Sequence, residues 1–342
     1  MRRTEAIRRA RRHSGRCLAG CRTARILALV TLVPAISLAL WATAWADEGG
    51  VPFWFSGSYA SLAAVPANPG WSLPVQGYFY SGEASASKAF TRGDSLTLGL
   101  KSRLPLVLVQ PSYAPDAKLL GGQPSFGLGF GYGENTTQAD LSVSPRGVER
   151  SRKDSVWGFS DLYPIASVAW SSGVHNWMTY LTGDLPVGAY DSQRLANIGI
   201  GHGAIDTGGG YTYLNQQNGH EFSAVLGFTY NFENPSTNYQ NGIDFHLDWA
   251  ASQFLSAHWE VGIAGYFYYQ LTGDSGSGAK LGPFESKVAS VGPEVGYAFT
   301  LGGLSAYANL RGYWEFWAEN RLKGYSLFAT LSIPLGGNPK AK

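Results

Sequence analysis

The sequence predicts an all-β fold, an antiparallel transmembrane β-barrel of about twelve strands with a short plug-like segment before the first strand. Three observations predict it: a leader for export, short segments in which apolar and polar residues alternate, and connections that are alternately short and long. Side chains of a strand point to opposite faces with a period of two, so an alternating segment has one apolar and one polar face. A membrane barrel turns the apolar face to lipid and the polar face to its lumen.

Residues 1–46 have the composition of a signal peptide. The first 25 residues contain nine arginines and one acidic residue, and an apolar run over 26–40 follows. Small residues at Ala44 and Ala46 come next, so we expect export with cleavage after Ala46. The alternative is a membrane-anchoring helix, which is disfavoured because the apolar run is shorter than the roughly 20 residues of a span and contains Pro34.

The predicted mature chain is acidic. Removing the nine arginines of the leader leaves 17 of 26 basic residues, and removing Glu5 leaves 23 of 24 acidic ones, so the net charge changes from +2 to −6. This balance does not favour nucleic acid as a partner. Both cysteines, Cys17 and Cys21, precede the cleavage position, which is typical of a chain that crosses an oxidising periplasm unfolded. No cofactor and no metal site are predicted.

The mature chain divides into an N-terminal periplasmic or plug segment over 47–70, a barrel over 71–336 and a tail over 337–342. Within the barrel we expect strands near 71–83, 95–112, 123–142, 155–171, 174–187, 201–216, 219–232, 242–253, 257–272, 284–299, 303–318 and 322–335.

The connections favour a membrane barrel over a secreted soluble β-sandwich. Connections after even-numbered strands are mostly tight, as at 171–173 and 302–303, whereas those after odd-numbered strands are longer and polar, as at 144–154 and 231–241. Outer-membrane barrels have an even number of strands, short turns at one end and long loops at the other. A sandwich has no reason to sort its loops in this way.

The alternating faces agree with that interpretation. The seventh strand offers Phe222, Leu226 and Phe228 on one face, and the ninth offers Trp259 and Ile263. Aromatic residues gather near strand ends, where rings with one wet edge prefer to sit in a membrane. The predicted location is therefore the outer membrane of a Gram-negative envelope, with outer-membrane lipid as a partner.

The opposite faces supply the candidate functional residues. We expect them to line the lumen, either as a structural ladder of ion pairs and hydrogen bonds or as the lining of a narrow porin-like passage. The candidates are Gln76, Lys101, Arg103, Asp161, Asp244, His246, Glu260, Tyr266, Tyr268, Glu294, Asn309, Arg311 and Glu315.

The segment before the first strand is too apolar for a free periplasmic tail. Its most apolar part contains Phe53, Trp54 and Phe55. We expect it to fold into the periplasmic mouth of the barrel as a short helix or plug, the alternative being an extension of a strand along the girdle. A plug would make transport gated or lateral.

One pair of candidates suggests catalysis instead. Asp244 and His246 are two residues apart, so they share a strand face and could act as an acid–base dyad in an outer-membrane hydrolase. No G-x-S-x-G motif accompanies the pair and no catalytic residue is assigned, so the expectation is a protein that is not an enzyme. A third hypothesis is a structural surface barrel with a sealed lumen.

Four segments resemble a known family. They are GLGFG at 127–131, GFSDLYP at 158–164, LTGDLPVG at 181–188 and GPEVGY at 292–297. Their order and spacing are similar to those of the phenol meta-pathway degradation proteins (MetA-type), a group of outer-membrane barrels. The resemblance implies an outer-membrane protein for uptake of small hydrophobic or aromatic compounds, with the barrel-assembly machinery as its partner during biogenesis. It assigns no catalytic residue and does not name the transported compound.

Overall fold

The structure, a computed structural model, describes residues 44–45, 52–92 and 94–336. The predicted signal peptide and the tail over 337–342 lie outside the described residues, except for a two-residue strand at Ala44–Trp45. Within this described part of the chain, no helix is long and apolar enough to cross a membrane.

The described residues form a closed barrel of twelve antiparallel strands. Adjacent strands in the chain pair with each other, and β12 pairs with β1 through partners such as Leu327 and Phe79, so the sheet closes into a barrel. The strands are β1 (Gly70–Arg92), β2 (Ser95–Val109, continued by Ser112–Ala114), β3 (Gln123–Ser144), β4 (Gly147–Glu149, Arg152–Phe159 and Tyr163–Ser172), β5 (His175–Asp184), β6 (Ala204–Asn215), β7 (His220–Asn231), β8 (Asp244–Phe254), β9 (Trp259–Gln270), β10 (Lys287–Leu301), β11 (Leu304–Glu319) and β12 (Lys323–Gly336).

Tight turns join the strands at one end of the barrel. The turn between β10 and β11 consists of Gly302 and Gly303, with φ values of 59° and 81°. A two-residue hairpin turn needs left-handed backbone at both positions to match the twist of its strands, and glycine adopts it without steric cost. Short turns at the end that also holds both barrel termini mark the periplasmic side.

The connections at the outer end of the barrel differ in part from the predicted ones. Long loops follow β5 (185–203), β7 (232–243) and β9 (271–286), but the connections after β1, β3 and β11 are short. The expected loop over 144–154 is wrong, because Ser144 pairs with Gly147 and the strands continue as a hairpin. Both faces of this hairpin meet water beyond the lipid layer, so its residues lose the alternating pattern while the backbone pairing persists.

Burial along the strands confirms the two faces. Phe222, Leu226 and Phe228 on β7 are exposed, whereas the intervening Glu221 and Ser223 are buried. The apolar side chains therefore face outward and the polar ones face a filled interior, which is the reverse of a soluble sheet. The core of the molecule is its lumen.

Candidate functional site

The segment over 52–69 runs through the barrel interior and is bonded to the lumen wall through its backbone. Asp248 on β8 accepts hydrogen bonds from the N–H groups of Gly57 (2.8 Å) and Tyr59 (3.1 Å). Glu294 on β10 accepts bonds from the N–H (3.3 Å) and the hydroxyl (3.1 Å) of Ser61. Carboxylates bonded to N–H groups form strong hydrogen bonds, so these two acids fix the path of the segment.

The following residues of the segment meet β6 and β7. Glu221 accepts a bond from the N–H of Leu62 (3.0 Å), and Thr212 Oγ1 accepts one from the N–H of Ala64 (2.9 Å). Ala64 is fully buried. A buried backbone N–H without a partner destabilises the fold. The turn over 62–64 has no helical hydrogen bonds for these N–H groups, so Glu221 and Thr212 supply the acceptors.

Arg311 on β11 binds the same segment from the other side. Its Nε donates to the carbonyl oxygen of Gly57 (3.1 Å) and its Nη2 to that of Ser58 (2.7 Å). A third donor, Nη1, reaches Asn309 Oδ1 (2.9 Å). One guanidinium therefore satisfies two successive carbonyls, a geometry that its planar fork suits.

The first residues of the segment contact the wall through aromatic rings. Trp54 stacks on His246 with ring centroids 3.6 Å apart and planes tilted by 15°. Phe55 meets Tyr78 edge to face, and Phe53 lies 6.1 Å from Tyr163. Trp54 and Phe53 are buried. These contacts place the three aromatic residues inside the barrel and not at its periplasmic mouth, and residues 52–69 form turns and not the expected short helix.

Burial and two neighbouring acids keep the hydroxyl of Tyr59 neutral. The pKa of Tyr59 is raised above its ordinary value mainly by burial, and the charges of Asp248 and Asp206 raise it further. The hydroxyl therefore stays protonated at neutral pH.

Most of the sequence-predicted lumen residues do lie on the inner face. They pack around the segment or bond to one another: Glu260 accepts from Tyr307, and Glu315 accepts from Tyr80 and Tyr266. The inward members of the predicted set are Gln76, Asp161, Asp244, His246, Glu260, Tyr266, Tyr268, Glu294, Asn309, Arg311 and Glu315.

Lys101 and Arg103 do not belong to that set, and their predicted position in the lumen is wrong. Both are exposed on β2, where the buried positions are the intervening Ser102 and Leu104, so their side chains face outward. Lys101 forms an exposed ion pair with Glu83 at 3.4 Å. Along β2 the lumen wall is apolar, and its Leu104 and Leu106 pack against Phe55. The polarity of Lys101 and Arg103 therefore predicted the wrong face of this strand.

Asp161 has a role that its strand position did not predict. It lies at the break between two pieces of β4 and accepts the N–H groups of Gly188 (2.7 Å) and Ile200 (2.8 Å). Both donors belong to the loop over 185–203. Asp161 thus anchors that loop to the barrel wall.

The predicted Asp244–His246 pair does not form. His246 Nε2 lies 2.9 Å from Asp206 Oδ2, while Asp244 accepts a bond from Asn231 (2.7 Å). The ring of His246 is fully buried beneath Trp54. A general base must reach a substrate proton, and this imidazole is covered by the segment.

The outer mouth is covered by elements that sequence reasoning missed. Phe90, near the tip of the β1–β2 hairpin, packs with Leu195 of the 185–203 loop and Leu322 of the β11–β12 turn, and all three are buried. Arg194 holds the loop by an ion pair with Asp154 at 2.7 Å. The sequence signal that could have revealed this cover is the apolar composition of parts of the 185–203 loop, which is unusual for a segment exposed to water.

Two cavities inside the barrel are small. One of about 30 Å³ lies between the segment and the 185–203 loop, lined by residues such as Phe53, Tyr163 and Asp184. A second of about 40 Å³ is lined by Trp54, Tyr80 and others. A water molecule occupies about 30 Å³ in the liquid, and a cavity that binds benzene is about 150 Å³, so neither cavity holds an aromatic ring.

The closed sheet, its outward apolar belt and its polar filled lumen define an outer-membrane β-barrel protein. The model of the family described as "Putative MetA-pathway of phenol degradation" matches residues 87–331, and the chain belongs to this family. No protein with a curated description matches the sequence.

Two solved structures are similar in fold. The COG4313 outer membrane channel from Pseudomonas putida F1 has 12% sequence identity and a TM-score of 0.62, over 78% of this chain and 96% of that one. A Pseudomonas aeruginosa FadL homologue has 9% identity and a TM-score of 0.43, over 85% and 99%. The first likeness supports the barrel architecture.

Proposed function

We propose that the protein is an outer-membrane channel for passive uptake of small hydrophobic or aromatic compounds, and that the segment over 52–69 is its plug. The observation that carries the proposal is the way this segment fills the lumen: carboxylates and Arg311 hold its backbone, and Trp54 stacks on the wall. Membership of a family named for phenol degradation and the likeness to an outer membrane channel from Pseudomonas putida support it.

The chemistry of the lumen favours an aromatic solute over a sugar or an ion. Around the N-terminal part of the plug the wall presents rings and aliphatic side chains, including Tyr78, Tyr163, Leu104 and Leu106. A planar solute that displaces Phe55 from this wall would replace one set of ring contacts with another. The exchange needs no covalent step, which is why we propose transport and not catalysis.

The hydrolase hypothesis has less support. A hydrolase using His246 requires a substrate to reach a ring that Trp54 covers on one face and Asp206 engages at Nε2. His246 serves better as part of the wall on which the plug rests.

The test is uptake of labelled phenol and benzoate by a Gram-negative host that lacks its general porins, with and without the protein. The barrel is confirmed in each sample by a heat-dependent shift on a gel of the outer-membrane fraction. We expect faster uptake in cells that express the wild type, and conductance in planar bilayers when residues 52–69 are deleted. Equal uptake with and without the protein, together with no conductance from the deletion variant, would establish a sealed structural barrel.

A further inference from the structure

The outer mouth of the barrel does not offer a direct entrance in this structure. The β1–β2 hairpin and the 185–203 loop meet over it: the N–H of Asp94 donates to the carbonyl of Ser192 (2.9 Å), and Phe90 and Leu195 are buried together. A solute that enters from outside has to move this cover or pass beside it.

The barrel wall has a break beside that cover. On the outer half, the described pairing of β12 with β1 ends at Lys323 and Glu83, and its pairing with β11 ends at Tyr325 and Trp314. Beyond these pairs, β1 continues into a bulge over 84–89, where its register with β2 shifts. The upper parts of β1 and β11 therefore flank a notch in the sheet.

The notch is an open depression of about 680 Å³. Its lining includes Ala86, Ala318, Glu315 and Arg321, together with the exposed ion pair of Glu83 and Lys101. Trp314 and Tyr325, which are 63% and 45% exposed, flank its lower edge. Exposed aromatic residues at that height belong to the outer girdle of a membrane barrel, so the notch opens at the outer boundary of the lipid layer.

The notch and the interior cavities have lining residues in common. The notch shares Glu315 and Arg321 with the inner cavity of about 40 Å³. That cavity in turn shares Phe55 and Leu104 with the cavity of about 30 Å³ beneath the 185–203 loop. One series of lining residues thus connects the outer membrane boundary to the aromatic part of the plug.

We propose that the notch between β1 and the β11–β12 hairpin is the side entrance of the channel for small aromatic solutes. The proposal rests on the proposed transport function. A solute passes over the girdle residues Trp314 and Tyr325, then between Arg321 and Glu315, and reaches the rings around Phe55 while the outer cover stays in place.

The inner end of this entrance suits a ring that carries one polar group. The guanidinium of Arg321 lies 5.2 Å from the ring centre of Tyr268, and Glu315 accepts hydrogen bonds from the hydroxyls of Tyr80 and Tyr266. Tyrosine faces contact a planar solute, and the guanidinium can donate to a phenol oxygen or a carboxylate. Aliphatic solutes lack the ring that these faces contact.

The first experiment narrows the notch. Ala318→Trp places an indole in it, and Ala86→Trp does so from the opposite flank, at an exposed position of the bulge. The matched control is Ala329→Trp, the same change on the lipid-facing side of β12. We expect uptake of phenol and benzoate to fall below the wild-type level for both notch variants, and to stay at the wild-type level for the control.

The second experiment locks the outer cover. The double variant Asp94→Cys/Ser192→Cys can form a disulfide, because the native side-chain oxygens, Asp94 Oδ2 and Ser192 Oγ, lie 3.3 Å apart. The native cysteines, Cys17 and Cys21, lie in the predicted leader, so the new pair is not expected to meet another thiol. We expect equal uptake with the disulfide formed and reduced, because the side entrance does not require the cover to move.

The two experiments together separate the proposals. Uptake that is abolished by the disulfide, restored by reductant and unaffected by the notch variants would make the mouth the entrance and overturn the side entrance while leaving transport intact. No uptake by the wild type would overturn the proposed function itself.

Discussion

The two halves of the lumen wall hold the proposed plug, residues 52–69, in different ways. Strands β6 to β11 bind the backbone of residues 57–64 with side chains such as Asp248, Glu294 and Arg311. Strands β1 to β5 contact Phe55 and Phe53 with rings and aliphatic groups, such as Tyr78 and Tyr163, whereas Trp54 stacks on His246 of β8. One half is a set of directional hydrogen bonds, and the other is a set of apolar surfaces.

This difference indicates which part of the plug can move. A backbone hydrogen bond is specific in distance and angle, so residues 57–64 are fixed as long as their acceptors remain. Ring contacts are tolerant of sliding and can be replaced by a ligand ring. Gly57 joins the two parts with a φ of 86°, a conformation that strains any residue with a side chain. We therefore expect residues 53–55 to yield to a solute before residues 57–64 do.

A single reporter can compare the two halves. Ala64 is fully buried at the hydrogen-bonded end of the plug, and the barrel has no cysteine of its own. In an Ala64→Cys background, the rate of modification by a water-soluble maleimide measures how often this end leaves the wall.

The largest effect is expected from Asp248→Ala. It removes the acceptor of two N–H groups, from Gly57 and Tyr59. Hydrogen bonds to charged groups are worth about 1.5–3 kcal/mol each, so a net loss of roughly 3 kcal/mol corresponds to about a hundredfold faster labelling of Cys at position 64. Glu260→Ala is the control, since this buried lumen carboxylate accepts from Tyr307. Equal rates for the two variants would refute the anchoring role of Asp248.

A smaller effect is expected from Trp54→Leu. The change keeps an apolar side chain but loses the stack on His246, and an aromatic pair is worth about 0.5–1.5 kcal/mol beyond its buried area. Labelling at position 64 should rise by about tenfold at most. Trp54→Phe keeps a ring and should stay close to the reference rate. A larger rise than that of Asp248→Ala would mean that the rings, and not the carboxylates, hold the plug.

Much of the fold was predictable because the lipid imposes a simple rule on each strand. An outward face must be apolar over the whole membrane thickness, so segments such as 219–232 and 257–272 show clear alternation, and the twelve-strand prediction is confirmed. Beyond the lipid layer the rule no longer applies. The hairpin over 144–154 was therefore predicted as a loop.

The site was less predictable because its partners are distant in sequence. Polarity on the inner face indicated Glu294 and Arg311, but their hydrogen bonds depend on the backbone path of residues 57–61, which no periodicity reveals. The partner of His246 is Asp206 on another strand, and not the nearby Asp244. The cover of Phe90 and Leu195 also depends on contacts between separate loops.

Thr212→Val tests a neutral bond in the hydrogen-bonded half. Valine has nearly the same shape but cannot accept the N–H of Ala64. A neutral hydrogen bond contributes about 1 kcal/mol, so labelling should rise roughly fivefold, well below the effect of Asp248→Ala. Thr330→Val is matched in chemistry, because that hydroxyl accepts from Gln76 in the wall. If both variants label alike, the bond to Ala64 contributes nothing to plug closure.

The smallest effect is expected from Arg103→Ala, which tests whether an outward side chain affects either half of the lumen wall. The side chain is exposed on the outward side of β2, so it should contact neither the plug nor a passing solute. Labelling at position 64, uptake of benzoate and the anion-to-cation selectivity of the conductance measured after deletion of residues 52–69 should all match the parent. A shift in selectivity would mean that Arg103 turns inward when the channel opens. The apolar half of the wall, bounded by Leu104 and Leu106, would then contain a cation after all, and the contrast between the two halves would hold for the closed state alone.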